Sequence, residues 1–131
     1  MEKTTKVFVY GSLKKGFGNH SFLLGELFLR TTRTKLYDYT MISLDSFPAV
    51  FTGGKHSIEG ELYEVSFPTL KMLDVLEGNG ELYERTLIEL VSGEKAWMYC
   101  FSDRFELPSD YVESSPRVKI TDNVATWLQS F

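Results

Sequence analysis

At 131 residues, with 43% hydrophobic and 15% aromatic side chains, the chain can bury one core and lies outside the disordered compositions. Its 14 Lys plus Arg against 18 Asp plus Glu give a mildly acidic balance with the basic residues scattered, which excludes a phosphate-neutralising stripe and with it nucleic acid as a partner. A single Cys and two His exclude a disulfide framework and a Cys/His metal cluster.

The first residues, "MEKTTKVFVYG", carry charge but no apolar leader core, and no stretch reaches the roughly 18 apolar residues of a membrane span. A cytoplasmic protein without a membrane partner is expected. Lys6 to Tyr10, apolar and β-branched with side chains alternating between two faces, predicts a strand that runs straight into "GSLKKGFG". Gly11 and Gly16 stand at the spacing of a phosphate-binding loop, but Phe17 and Gly18 occupy the positions where that motif needs Lys and Ser or Thr, so a nucleotide is excluded. Two readings of the loop remain. The amides of Gly11, Ser12 and Leu13 form a nest for a carboxylate, or the segment is a plain tight turn with Lys14 and Lys15 in solvent.

His20 to Leu29 predicts a short helix, with His20 at its start. Thr34 to Leu44 and Pro48 to Thr52 are rich in aromatic and β-branched residues and predict strands. Ser57 to Val65 predicts another after the Gly53-Gly54 turn, with His56 on the surface beside it. "SFPTLKMLDVLEGNG" predicts a helix ending at Glu77, because Pro68 suits a first turn, Leu70, Leu73 and Leu76 share one side, and Gly78 suits a left-handed cap. Tyr83 to Val91 and Lys95 to Ser102 flank "SGE" and predict a hairpin, with Cys100 a small core residue. "TDNVATWLQSF" predicts a third helix capped by Thr121 or Asp122. The whole, residues 1–131, is expected to be one α+β domain around a strongly bent or closed mixed sheet.

Glu77 stands out. A carboxylate in the last turn of a helix faces the negative end of the macrodipole, where a cation is favoured by about 0.3–1 kcal/mol. Either it is a solvated helix-end glutamate or something else holds it there. An apolar setting made by the Leu73/Leu76 side and Phe47, together with the helix end, would push its pKa upward, toward what a base at neutral pH needs.

Taken in order, "YGSL" (Tyr10, Gly11, Ser12, Leu13), "FPAV" (from Phe47), "GELYEV", "LEG" (with Glu77) and "YER" (Tyr83 and Arg85) resemble the γ-glutamylcyclotransferase-like family, also called AIG2-like or BtrG-like, and most closely its γ-glutamylamine branch. The resemblance runs from Val7 to about Phe101. It implies a small closed β-barrel flanked by short helices. It also implies that the "YGSL" residues Tyr10, Gly11, Ser12 and Leu13 hold the glutamyl group and that Glu77 is the general acid/base; Phe47 and Tyr83 are further candidates for substrate contact, with a structural role the other reading of Tyr83. No metal or other cofactor is called for. The implied partner is a small γ-glutamyl amine, whose own α-amine attacks the γ-carbonyl to release 5-oxoproline and a free amine; a monomer or weak homodimer is expected. The alternative of a different class is a non-catalytic domain that binds a γ-glutamyl or amino-acid ligand, or contacts another protein, on the same fold. Beyond Asp103 the resemblance offers nothing, and a substrate-specific lid there is an expectation only. Arg85 is expected to anchor Glu81, Glu84 or a strand end.

Overall fold

Thr4–Val9 enters the core as β1 because Val7 and Val9 alternate with Phe8 so that both faces of the strand are covered. The computed structural model describes residues 3–44, 47–80, 82–101 and 117–128. Along these residues β1 is followed by a 3-10 turn at His20–Leu23, β2 (Leu27–Arg33), β3 (Tyr39–Ser43), β4 (Pro48–Thr52) and β5 (Ser57–Ser66). The helix α1 (Phe67–Glu77) comes next, then β6 (Tyr83–Glu89), β7 (Lys95–Phe101), β8 (Val118–Thr121) and β9 (Val124–Trp127).

The main sheet runs β6-β7-β1-β5-β9-β8, with β2 on the other edge of β5; β3 and β4 form a separate two-stranded ribbon. β1 pairs antiparallel with β5 and parallel with β7, so the sheet is mixed. β9 takes up β5 at Ser57 and Ile58, just past the point where β1 has ended at Val9. The sheet curls around a core of Phe8, Met41, Val50, Ile58, Leu62, Leu90, Met98 and Trp127, all at most 1% exposed. This is the bent α+β sheet that the sequence predicts. Gly60 is required where β5 crosses β1, since a Cβ there would lie 2.3 Å from the Val9 carbonyl oxygen.

The strands Pro48–Thr52 and Ser57–Ser66, the helix to Glu77 and the β6–β7 hairpin form where the sequence places them. The Thr34–Leu44 strand is shorter than predicted, regular only over Tyr39–Ser43. Two predicted helices are corrected. His20–Leu29 is helical only as one 3-10 turn, because Gly25 sits at φ +87° and turns the chain into β2, whose backbone completes the outer edge of β5. "TDNVATWLQSF" is no helix at its described residues. Asp122 and Asn123 both lie at positive φ (52° and 62°) and form the two-residue turn of the β8–β9 hairpin. The predicted lid beyond Asp103, the strand end at Ser102 and Glu81 fall outside the described residues, apart from 117–128.

Candidate active site

α1 is built to end at the site. Ser66 caps its start, its Oγ accepting from the Thr69 amide at 3.4 Å, and the Glu26 carboxylate accepts from the Ser66 amide at 2.6 Å. Leu70 and Leu73 seat the inner face on the core. Gly78 closes the helix in the left-handed conformation at φ 61°, and the Asn79 amide returns to the Asp74 carbonyl at 2.9 Å. Leu76 and Glu77 are thereby left at the edge of a cavity of about 410 Å³.

A second wall is the loop after β1. The carbonyls of its first three residues are engaged: Gly11 accepts from the Lys14 amide at 3.0 Å, Ser12 from the Asn19 amide at 2.8 Å, and Leu13 from the His20 ring at 3.0 Å. The amides of Gly11, Ser12 and Leu13 make no hydrogen bond among the described residues, and the three residues line the cavity. Asn19 also donates to the Ser12 Oγ at 2.9 Å, which leaves that hydroxyl's own hydrogen available. Gly11 is needed for close approach, because a Cβ would lie 2.9 Å from Pro48 Cγ.

Two tyrosines complete the walls. The Tyr83 hydroxyl donates to the Pro48 carbonyl at 2.8 Å and the Tyr10 hydroxyl donates to the Tyr99 carbonyl. Burial, and after it neighbouring groups that include Glu77, pushes both phenols well up, so each stays a neutral donor at physiological pH. Burial also pushes the half-buried Glu77 carboxyl from 4.5 to about 7. All seven residues singled out from sequence, Tyr10, Gly11, Ser12, Leu13, Phe47, Glu77 and Tyr83, line this one cavity.

Several supporting residues depart from expectation. Lys14 is not solvated: only 7% exposed, it donates from Nζ to the Trp127 carbonyl at 2.7 Å and lies over the Phe17 ring, so it ties the loop to the end of β9. Desolvation lowers its pKa, partly offset by Glu61 and Glu59. Arg85 reaches neither Glu84 nor a strand end; its Nε meets Asp74 Oδ1 at 3.1 Å and its guanidinium covers Trp97. Asp74 also accepts from the Tyr99 hydroxyl at 2.7 Å, so α1 is pinned to the β6–β7 hairpin one turn before Glu77. His56 is buried, with its backbone paired to Tyr39. Sequence reasoning missed Asn19, Asp74 and Tyr99. Only Asn19 had a local signal, a side-chain amide seven residues after a loop serine. No group of three His, Cys, Asp or Glu that could hold a metal occurs among the described residues.

The family model described as gamma-glutamyl cyclotransferase, AIG2-like, matches residues 7–123. A Methanocaldococcus jannaschii protein provisionally named a gamma-glutamylcyclotransferase is 41% identical over 103 residues, covering 74% of this chain and 84% of that protein. The rat gamma-glutamylaminecyclotransferase is 35% identical over 97 residues, 64% of this chain and 62% of its own. Among solved structures, a mouse AIG2-like protein superposes with a TM-score of 0.67 at 26% identity, covering 87% of this chain and 89% of that one. No helix among the described residues is long and apolar enough to cross a membrane.

Proposed function

The chain belongs to the gamma-glutamyl cyclotransferase, AIG2-like family, and on that premise we propose that it releases 5-oxoproline and a free amine from γ-glutamyl amines, with Glu77 as the proton carrier. The observation that carries this reading is that a half-buried carboxyl of pKa about 7 lines the same cavity as three loop residues whose amides are unpaired among the described residues. The amides of Gly11, Ser12 and Leu13 receive the substrate α-carboxylate, and Ser12 Oγ adds a donor. Tyr10, Tyr83 and Phe47 shape the wall along the glutamyl chain.

Glu77 takes a proton from the substrate ammonium, and the freed α-amine attacks the γ-carbonyl carbon. The carbon–nitrogen bond to the leaving group breaks as Glu77 returns the proton to that nitrogen. The ring nitrogen's second proton follows to the released amine, which departs as an ammonium. No water or acyl-enzyme enters, and a fixed intramolecular attack of this kind reaches effective molarities of about 10⁵–10⁸ M. The raised pKa matters for the first step. An ordinary glutamate lies roughly 3.7 pH units below an α-amine near 8, a gap of about 5 kcal/mol; at about 7 the gap falls to about 1.4 kcal/mol.

Incubating the protein with a panel of γ-glutamyl amines and assaying 5-oxoproline tests the reading. Release from at least one member is expected. Saturable binding of the panel without product would assign the chain the ligand-holding role instead.

A further inference from the structure

Glu77 lines one cavity and is next in sequence to the residue that joins it to a second. Its neighbour Leu76 lines both the pocket described above and a second, shallower groove of about 450 Å³ that runs along the outside of α1. Met72, Val75 and Leu76 fall at i, i+3 and i+4, so they share one helix face. That face is turned outward, with Val75 82% and Met72 52% exposed, and Phe22 of the 3-10 turn forms the facing wall. Phe47 and Leu82, 38% and 39% exposed, also line the Glu77 pocket. Single exposed apolar residues are ordinary; an apolar groove that shares Leu76 with the pocket of the adjoining carboxyl is not.

Charge sharpens the point. No Lys, Arg or His lines the Glu77 pocket among the described residues. Two cations of the supporting framework are committed elsewhere, Lys14 to the Trp127 carbonyl and Arg85 to Asp74 and Trp97. An amino acid leaving this pocket would carry its α-carboxylate one carbon from the departing nitrogen. That places it beside the Glu77 carboxyl and against Leu76, without a cation to offset its desolvation. Among the described residues the one basic side chain that lines the outer groove is the exposed Lys71.

Resting on the cyclotransferase reading above, we propose that the leaving amine of this protein's substrate carries an uncharged apolar substituent, alkyl or arylalkyl, which runs from Glu77 across Leu76 into the groove of Phe22, Met72 and Val75. The groove is then the specificity subsite of the reaction. γ-Glutamyl amino acids, with a carboxylate on the leaving group, are poor substrates.

The test uses the full chain and 5-oxoproline release from γ-glutamyl methyl-, propyl-, butyl- and pentylamide, with a matched pair, γ-glutamyl 3-methylbutylamide and γ-glutamylleucine, which differ only by the carboxylate. Expected are a kcat/KM that rises about two- to fourfold per methylene along the series, and a preference of at least about tenfold for the 3-methylbutylamide over γ-glutamylleucine. In Met72→Glu the gain with chain length flattens. A flat series, or γ-glutamylleucine equal to its amine partner, overturns the subsite while leaving cyclotransfer standing. No 5-oxoproline from any of the six compounds, when the wider panel of γ-glutamyl amines yields it, overturns the subsite alone; none from the six or from the panel overturns the cyclotransferase reading and the subsite with it. Light scattering on the same samples is the remaining arm: a dimer that Met72→Glu dissolves, with the chain-length gain unaltered, makes the groove an interface between copies and also overturns the proposal.

Discussion

Replacing Glu77 by Gln separates catalysis from folding. The amide keeps the side chain's size but neither takes the ammonium proton nor returns it to the leaving nitrogen. Turnover is expected to fall by about 10²–10⁴ while 5-oxoproline still binds within roughly threefold. Stability moves the other way, with a pH dependence set by the site. The carboxyl holds its proton more tightly in the folded chain, at about 7 against 4.5, so the stability it contributes is fully present below 4.5 and is lost as pH rises through about 7. At about 1.4 kcal/mol per pH unit, the ionised form destabilises the fold by roughly 3 kcal/mol above that window. Gln carries no such penalty. The variant should therefore melt close to the parent near pH 4 and pull ahead as pH rises, by on the order of 10 °C above about pH 8, taking roughly 4 °C per kcal/mol for a chain of this size. Calorimetric or fluorescence melts across that range, together with a 5-oxoproline assay whose acid limb has its midpoint near 7, check both halves. Normal turnover with a lowered melting temperature at every pH would make Glu77 a structural residue and refute the proton-carrier role.

Two other changes probe the loop. Gly11→Val drives a branched side chain into the Pro48 ring, whose Cγ already lies 2.9 Å from a Cβ at that position; titration calorimetry should find 5-oxoproline bound at least about tenfold more weakly, and an unchanged affinity would place the anion site elsewhere. Lys14→Met keeps the apolar stem but abandons the Trp127 carbonyl, bonded at 2.7 Å. Urea unfolding should show a loss of about 1–3 kcal/mol, and no loss would mean that the loop is not tied to β9 through this lysine.

What the sequence determined on its own is what nearest neighbours along the chain decide. Ser66, Pro68 and Gly78 delimit α1 by satisfying or ending its own backbone, and the Gly93 turn between β6 and β7 is equally local. Glu77 could be singled out because its conflict with the helix dipole is internal to one turn. The Asp122-Asn123 hairpin was also locally written, in alternating "VKIT" and "VATW" around two residues suited to positive φ, although the same letters satisfy a helix cap. β2 was different. Its residues are mostly exposed, so no apolar alternation marks it, and it is a strand because the outer edge of β5 needs backbone partners. The committed cations, Lys14 on Trp127, 113 residues away, and Arg85 on Asp74, depend on which elements the curled sheet brings together. So does the pKa of Glu77. Its cause is desolvation, and burial belongs to a cavity whose walls come from four distant segments of the chain, a quantity that exists only once the sheet has closed around it.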